Sequence, residues 1–132
     1  MILDEQYRTT RVEGFTQHCG IRIESGQDGT CTVSCDVQDC HLNPVGIVHG
    51  GLIYTMMDVA AGSAAISFCD HQRKITTRSG DIHYLLPLRA GRITATAHVV
   101  RGGSRMAYIQ ADVCNEAGEL CASGVFEYFY LD

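Results

Sequence analysis

The chain has 132 residues, 45% of them hydrophobic, and a formal charge of −5 from 15 acidic and 10 basic side chains. That length predicts one domain over residues 1–132, with one core and no second unit. The acidic balance and the lack of a Lys/Arg-rich run argue against a nucleic-acid partner, which needs a basic stripe.

Residues 1–19 are mixed in character and are expected to form an arm or a short helix. Their acids and arginines stand where a signal peptide would carry its apolar region. The sequence holds seven cysteines, an odd number with no CxxC pair. They read as free thiols in a reducing compartment rather than a disulfide framework, so a cytoplasmic location is expected. The run Cys31-x3-Cys35-x4-Cys40-His41 suits no standard zinc spacing, and alternating cysteines on a strand are usually small buried hydrophobes. No metal is expected.

Gly20 to Glu24 alternates as a strand does, and Gly26-Gln27-Asp28-Gly29 supplies turn residues. Cys31, Val33, Cys35 and Val37 alternate with polar residues, which predicts a half-buried strand paired back onto the first. His41-Leu42-Asn43-Pro44 reads as a loop. From Gly50 to about Phe68 the apolar positions cover nearly every side of a helix, the pattern of a helix buried on most sides. Small residues at Ala60, Ala61, Gly62, Ala64 and Ala65 allow close packing against it. His49, Asp58 and several glycines interrupt the apolar stretch Val45 to Phe68, so it lacks the unbroken run of about 20 apolar residues of a membrane span.

After a polar break at Asp70–Arg73, strands are predicted at Ile75–Leu86, around Arg92–Val99, around Ala107–Val113 and at Leu120–Leu131. The expected fold class is therefore α+β: one long buried helix wrapped by a curved antiparallel sheet, the economical way to cover such a helix.

Two features of the helix suggest chemistry. Gly50-Gly51 falls in its first turn, although a helical glycine costs about 1 kcal/mol relative to alanine. One explanation is relief of crowding where the loop meets the helix. The other is that a ligand approaches the backbone there, because the first amides of a helix lack internal partners and lie at its positive end. Such amides suit a carbonyl oxygen that becomes negative during attack. Asp58, set mid-helix among Met56, Met57, Val59 and Ala60, is either a structural carboxylate satisfied by a neighbouring hydroxyl or arginine, or a base or nucleophile. Gly50 and Asp58 are eight residues apart, about 12 Å along one helix axis. One helix therefore cannot bring both to the same carbonyl carbon, which needs approach to roughly 3–3.5 Å. Joint action requires two chains with antiparallel helices across a two-fold axis.

The stretch from Asn43-Pro44-Val45-Gly46 through His49-Gly50-Gly51 to Met57-Asp58 resembles the signature of hotdog-fold acyl-CoA thioesterases of the phenylacetate-pathway type, in the thioesterase superfamily. The likeness extends over about residues 20–130, through Tyr84-Leu85-Leu86-Pro87 and on to His98–Gly103. It implies hydrolysis of an acyl-CoA, aryl-acyl or medium-chain, to the free acid and CoA, with no cofactor. It implies self-association as a homodimer, and commonly a homotetramer, with neither nucleic acid nor membrane as partner. By the same resemblance Asp58 is the base or nucleophile, the Gly50 amide polarises the thioester carbonyl and His49 supports that end of the site. Asn43 orients the lytic water or the thioester. Thr77 falls where the family places a Ser or Thr beside its carboxylate, with Thr76 and Ser79 as neighbouring alternatives. Gly51 belongs to the substrate-binding turn, and Arg101, Gly102, Gly103, Ser104 and Arg105 match the segment that meets the CoA phosphates. Ser104 stands where relatives often carry a lysine. A non-catalytic acyl-CoA-binding module on the same fold is the alternative, and a hotdog dehydratase pairs its carboxylate with a histidine in a different motif.

Overall fold

The computed structural model describes residues 13–131, so most of the N-terminal arm expected over 1–19 lies outside the described residues. A single helical turn, α1 (Phe15–His18), leads into β1 (Ile21–Gln27) and β2 (Thr30–Asp36). A 3-10 turn at Asp39–His41 and an irregular loop then reach α2 (Gly50–Phe68). Four strands complete the chain: β3 (Lys74–Tyr84), β4 (Arg92–Gly102), β5 (Met106–Cys114) and β6 (Leu120–Leu131).

All six strands form one antiparallel sheet in the order β1-β2-β4-β5-β6-β3. The hairpin β1–β2 turns on Asp28 (φ 53°) and Gly29 (φ 78°), successive left-handed residues whose twist matches that of the flanking strands. Along β2, Cys31, Val33 and Cys35 point into the core, as their alternation predicts. Cys31 and Cys35 are core thiols, and among the described residues no three His, Cys, Asp or Glu side chains gather as metal ligands would.

The sheet curves around α2, which packs against every strand. Met56, Met57, Ala60, Ala61, Ala64 and Ala65 are wholly inaccessible to solvent. By length and composition α2 could cross a bilayer, but it lies buried in the sheet as the core helix. Its C-terminal end is tied down twice. The Gly29 amide donates to Ser67 Oγ at 3.0 Å, and Phe68 lies over Gly102 so closely that a methyl group there would overlap the ring. Asp70 and His71, both with positive φ, then turn the chain into β3. One long helix wrapped by an antiparallel sheet is the hotdog fold that the sequence predicts.

Gly124 holds the last strand pair at its normal spacing. It sits opposite Ile82 in the β3–β6 ladder, and a Cβ would collide with the Asp81 carbonyl oxygen and the Ile82 backbone. Backbone cannot yield as a side-chain tip can. Gly124→Ala is therefore expected to destabilise the fold by about 1–3 kcal/mol, the usual cost of overpacking. A urea midpoint within error of the parent protein would contradict this contact.

Candidate active site

Asp58 lies in the middle of α2, on the side facing β3 and β6. Its Oδ1 accepts two hydroxyl hydrogen bonds, from Thr77 Oγ1 at 2.9 Å and from Tyr128 Oη at 2.7 Å. Thr77 and Tyr128 are direct partners in the β3–β6 ladder, so their side chains share one face of the sheet, the face toward α2. The ladder shifts register immediately afterwards, between Thr77 and Ser79. That irregularity separates Thr77 from its neighbours. Ser79 donates instead to Glu127 Oε2 at 2.7 Å, where Arg78 Nη1 also binds at 2.9 Å. Of the three hydroxyl residues open in the sequence, Thr77 is the one that bonds Asp58. Among the described residues, Asp58 Oδ2 accepts no hydrogen bond.

Asp58 is less buried than the methionines that precede it. Met56 and Met57 are buried, but Asp58 is only half-buried. Among the described residues the sheet ends at β3, an edge strand with mostly exposed side chains, and they leave the helix face bearing Asp58 and Val59 partly uncovered. A cavity of about 290 Å³ opens there, lined by Asp58, Val59, Gly62, Ile75, Thr77 and Tyr128. Burial and the nearby Asp58 carboxylate together drive the Tyr128 phenol far above its ordinary pKa, so it stays a neutral O–H donor.

At the start of α2, His49 is the N-cap, and its Nδ1 accepts the Gly51 amide at 2.8 Å. The Leu52 and Ile53 amides both donate to the His49 carbonyl. The Gly50 amide donates to no acceptor among the described residues. The two glycines thus differ. Gly51 was expected at the substrate turn, yet its amide is consumed by the cap, and only that of Gly50 is left over. Gly50 is also held by Tyr84, whose hydroxyl donates to the Gly50 carbonyl at 2.8 Å and whose ring would lie 3.2 Å from any Cβ there. A second cavity of about 320 Å³ adjoins Gly50, with an apolar lining that includes Ile47, Ile53, Tyr84 and Leu86.

Asn43 is engaged in its own loop. Its Oδ1 accepts the Val45 and Ile47 amides at 3.1 and 3.0 Å, shaping the turn that delivers His49 and Gly50. Only its Nδ2 remains for another partner. His41 fastens the same loop to the chain before β1, through Nε2 and the Cys19 carbonyl at 2.8 Å.

The segment Arg101 to Arg105 forms the β4–β5 hairpin at the other end of α2, beside Phe68. Phe68 is ten residues beyond Asp58, about 15 Å along the axis. Packing against Phe68 accounts for Gly102, and the Gly103 amide donates to Met106 O at 2.8 Å. Neither glycine therefore needs a ligand to explain it. Arg101, Ser104 and Arg105 are exposed. Arg73 stacks on Tyr130 and donates to the Ser104 carbonyl at 2.8 Å, so Arg73, Ser104 and Arg105 line one broad groove.

The fold thus brings Asp58 and Thr77 together, keeps Gly50 at the far end of the same helix and sets Arg101–Arg105 beyond its opposite end. Sequence reasoning assigned no site role to Tyr128 or Tyr84. Only the register of β3 against β6 reveals the first, and only the path of β3 past the helix start reveals the second.

A profile of the thioesterase superfamily matches residues 45–122. Human acyl-coenzyme A thioesterase 13 is 30% identical over 118 residues, covering 87% of this chain and 84% of that protein. Among solved structures, a mutant of the phenylacetic acid degradation protein PaaI from Thermus thermophilus superposes with a TM-score of 0.81 at 28% identity, covering 90% of this chain and all (100%) of that one. A hypothetical thioesterase from Streptococcus pneumoniae, solved with coenzyme A, gives 0.78 at 26% identity, covering 84% and 85%. The chain belongs to the thioesterase superfamily and, with it, to the thioester hydrolases of hotdog fold.

Proposed function

We propose that this protein is a cytoplasmic acyl-CoA thioesterase acting as a homodimer, or as a pair of such dimers, on aryl-acyl or medium-chain acyl-CoA. The observation that carries the proposal is the pairing of two unspent groups. Among the described residues, Asp58 has Oδ2 free while Oδ1 is held, and the Gly50 amide is left over from the helix cap. A carboxylate oxygen and a lone N–H at a helix start are what attack on a carbonyl requires.

Because the two groups are about 12 Å apart on one helix, each site combines Asp58 of one chain with Gly50 of the partner subunit. The exposed edge of β3 supports this assembly. Among the described residues it is a strand edge with no further strand beside it, next to Asp58, and it continues into exposed Tyr84, Leu85 and Leu86. Two β3 edges joined across a two-fold axis bring both helix starts and both carboxylates to the junction. The cavities beside Asp58 and beside Gly50 then flank the reacting carbon, with room for the acyl group and the pantetheine arm.

In the hydrolytic step Asp58 takes a proton from water, the hydroxide adds to the thioester carbonyl and the oxyanion is held at the Gly50 amide. Collapse breaks the carbon–sulfur bond, and the CoA thiolate leaves and is protonated. Alternatively, Asp58 itself adds, expels the thiolate and forms an anhydride that water then opens. Both routes use the same groups and no cofactor. Asn43 Nδ2 orients the water or the thioester, His49 fixes the turn that presents Gly50, and Arg101 with Arg105 receives the CoA phosphates.

The test is release of free thiol from phenylacetyl-, hydroxybenzoyl-, short-, medium- and long-chain CoA, with the seven protein cysteines subtracted as background. Catalytic turnover is expected, with aryl or medium-chain esters preferred. Tight binding of these esters without turnover would replace the enzyme with a binding module.

A further inference from the structure

We infer that Tyr128 is a positioning residue for the reaction: its hydroxyl fixes Asp58 Oδ1 and so selects Oδ2 as the oxygen that meets water or substrate. The inference rests on the hydrolytic reading of Asp58. Tyr128 Oη lies within hydrogen-bond distance of two acceptors on one residue, Asp58 Oδ1 at 2.7 Å and the Asp58 backbone carbonyl at 2.8 Å. A hydroxyl has one proton to give. The backbone carbonyl already accepts from within α2, whereas the carboxylate carries a full charge, so the proton is best directed to Oδ1.

Thr77 donates to the same oxygen at 2.9 Å from the adjacent strand. Two donors on Oδ1 remove the degeneracy of the carboxylate. They lower the basicity of that oxygen, stop rotation about the last side-chain bond and leave Oδ2 with its lone pairs unshared. Thr77 alone, on an exposed edge strand, is a loose anchor. Tyr128 is the rigid one, only 1% exposed, stacked beside Phe126 and held on β6 between two strands. The hydroxyl is also far more than core packing requires. A phenylalanine would fill the same space, and a buried O–H is retained where it has a partner to serve.

The experiment compares parent protein, Tyr128→Phe, Asp58→Asn and the double variant, reading kcat and KM separately on the best acyl-CoA. Melting temperature, oligomer size and crystal structures accompany the kinetics. Tyr128→Phe is expected to lower kcat roughly 10- to 100-fold, the scale of one hydrogen bond to a charged group, with KM nearly unchanged. In the Asp58→Asn background it is expected to cause no further loss, since a positioning residue acts only through the group it positions. In the Tyr128→Phe crystal structure the Asp58 carboxylate is expected to have turned or become disordered.

An unchanged kcat, an effect confined to KM, an equal loss in both backgrounds or a carboxylate that keeps its place would each overturn the inference. Absence of turnover in the parent protein would defeat the hydrolytic reading instead. The carboxylate orientation would then still decide the role of Tyr128.

Discussion

Asp58→Asn is expected to lower kcat for thioester hydrolysis by about 10³-fold or more, with little change in KM. The substitution is nearly isosteric. The side-chain oxygen of asparagine can still accept the Thr77 and Tyr128 hydroxyls, so the pocket, the helix and the strand pair keep their partners. What is lost is the second oxygen, which carries the lone pair that takes a proton or forms a bond. A neutral amide does neither at ordinary pH. Because Asp58 is half-buried and, among the described residues, bonds only through Oδ1 and pairs with no cation, the melting temperature should move by a few degrees at most. Initial rates over a substrate range, with light scattering to confirm assembly size, make the measurement. A variant that keeps more than about a tenth of the parent kcat would place the proton transfer elsewhere.

The second large effect concerns Gly50. Gly50→Pro removes the one backbone amide of the helix start that no acceptor among the described residues uses. The site tolerates proline in its backbone: it is the first helical position, and the preceding His49 has φ −59° and ψ 132°, the extended conformation that a residue before proline prefers. The Tyr84 ring, 3.2 Å from a Cβ at this position, must shift by a few tenths of an ångström. Loss of one oxyanion donor is expected to cost about 10²- to 10³-fold in kcat.

Mixing then decides between one chain and two. Asp58→Asn and Gly50→Pro subunits, unfolded and refolded together, should regain about a quarter of the parent activity. Half of the random dimers are mixed, and each mixed dimer holds one intact site, with Asp58 of one subunit facing Gly50 of the other. If both groups served the same site from a single chain, the mixture would stay as inactive as its components.

Much of this molecule was legible before any coordinates. The helix was predicted from Gly50 to about Phe68 and runs over those residues, because its apolar side chains recur on every side and its start is marked by His49-Gly50-Gly51. The turn expected over Gly26–Gly29 falls on its last two residues, with β1 running on through Gln27, and the buried alternation of Cys31, Val33 and Cys35 followed from equally local rules. So did the separation of Gly50 from Asp58, since helix rise is a constant. The run from Asn43 to Asp58 was enough to suggest the family to which the chain belongs.

Tertiary structure alone decided which oxygen of Asp58 is held and which is free. That depends on Thr77 and Tyr128 lying opposite each other, 51 positions apart in the chain, and a shift of one residue in the β3–β6 register would turn one of them away. It depends as well on β3 being, among the described residues, an edge strand, which leaves Asp58 half-buried beside the buried Met56 and Met57. The Gly51 amide, the Asn43 carbonyl and the space at Gly102 are each taken by neighbours within the chain, a fact that spacing and composition do not carry. Periodicity reports only what a segment buries. Hydrogen-bond partners and strand edges are set by how distant segments pack, and it is these that leave Asp58 Oδ2 and the Gly50 amide unspent among the described residues.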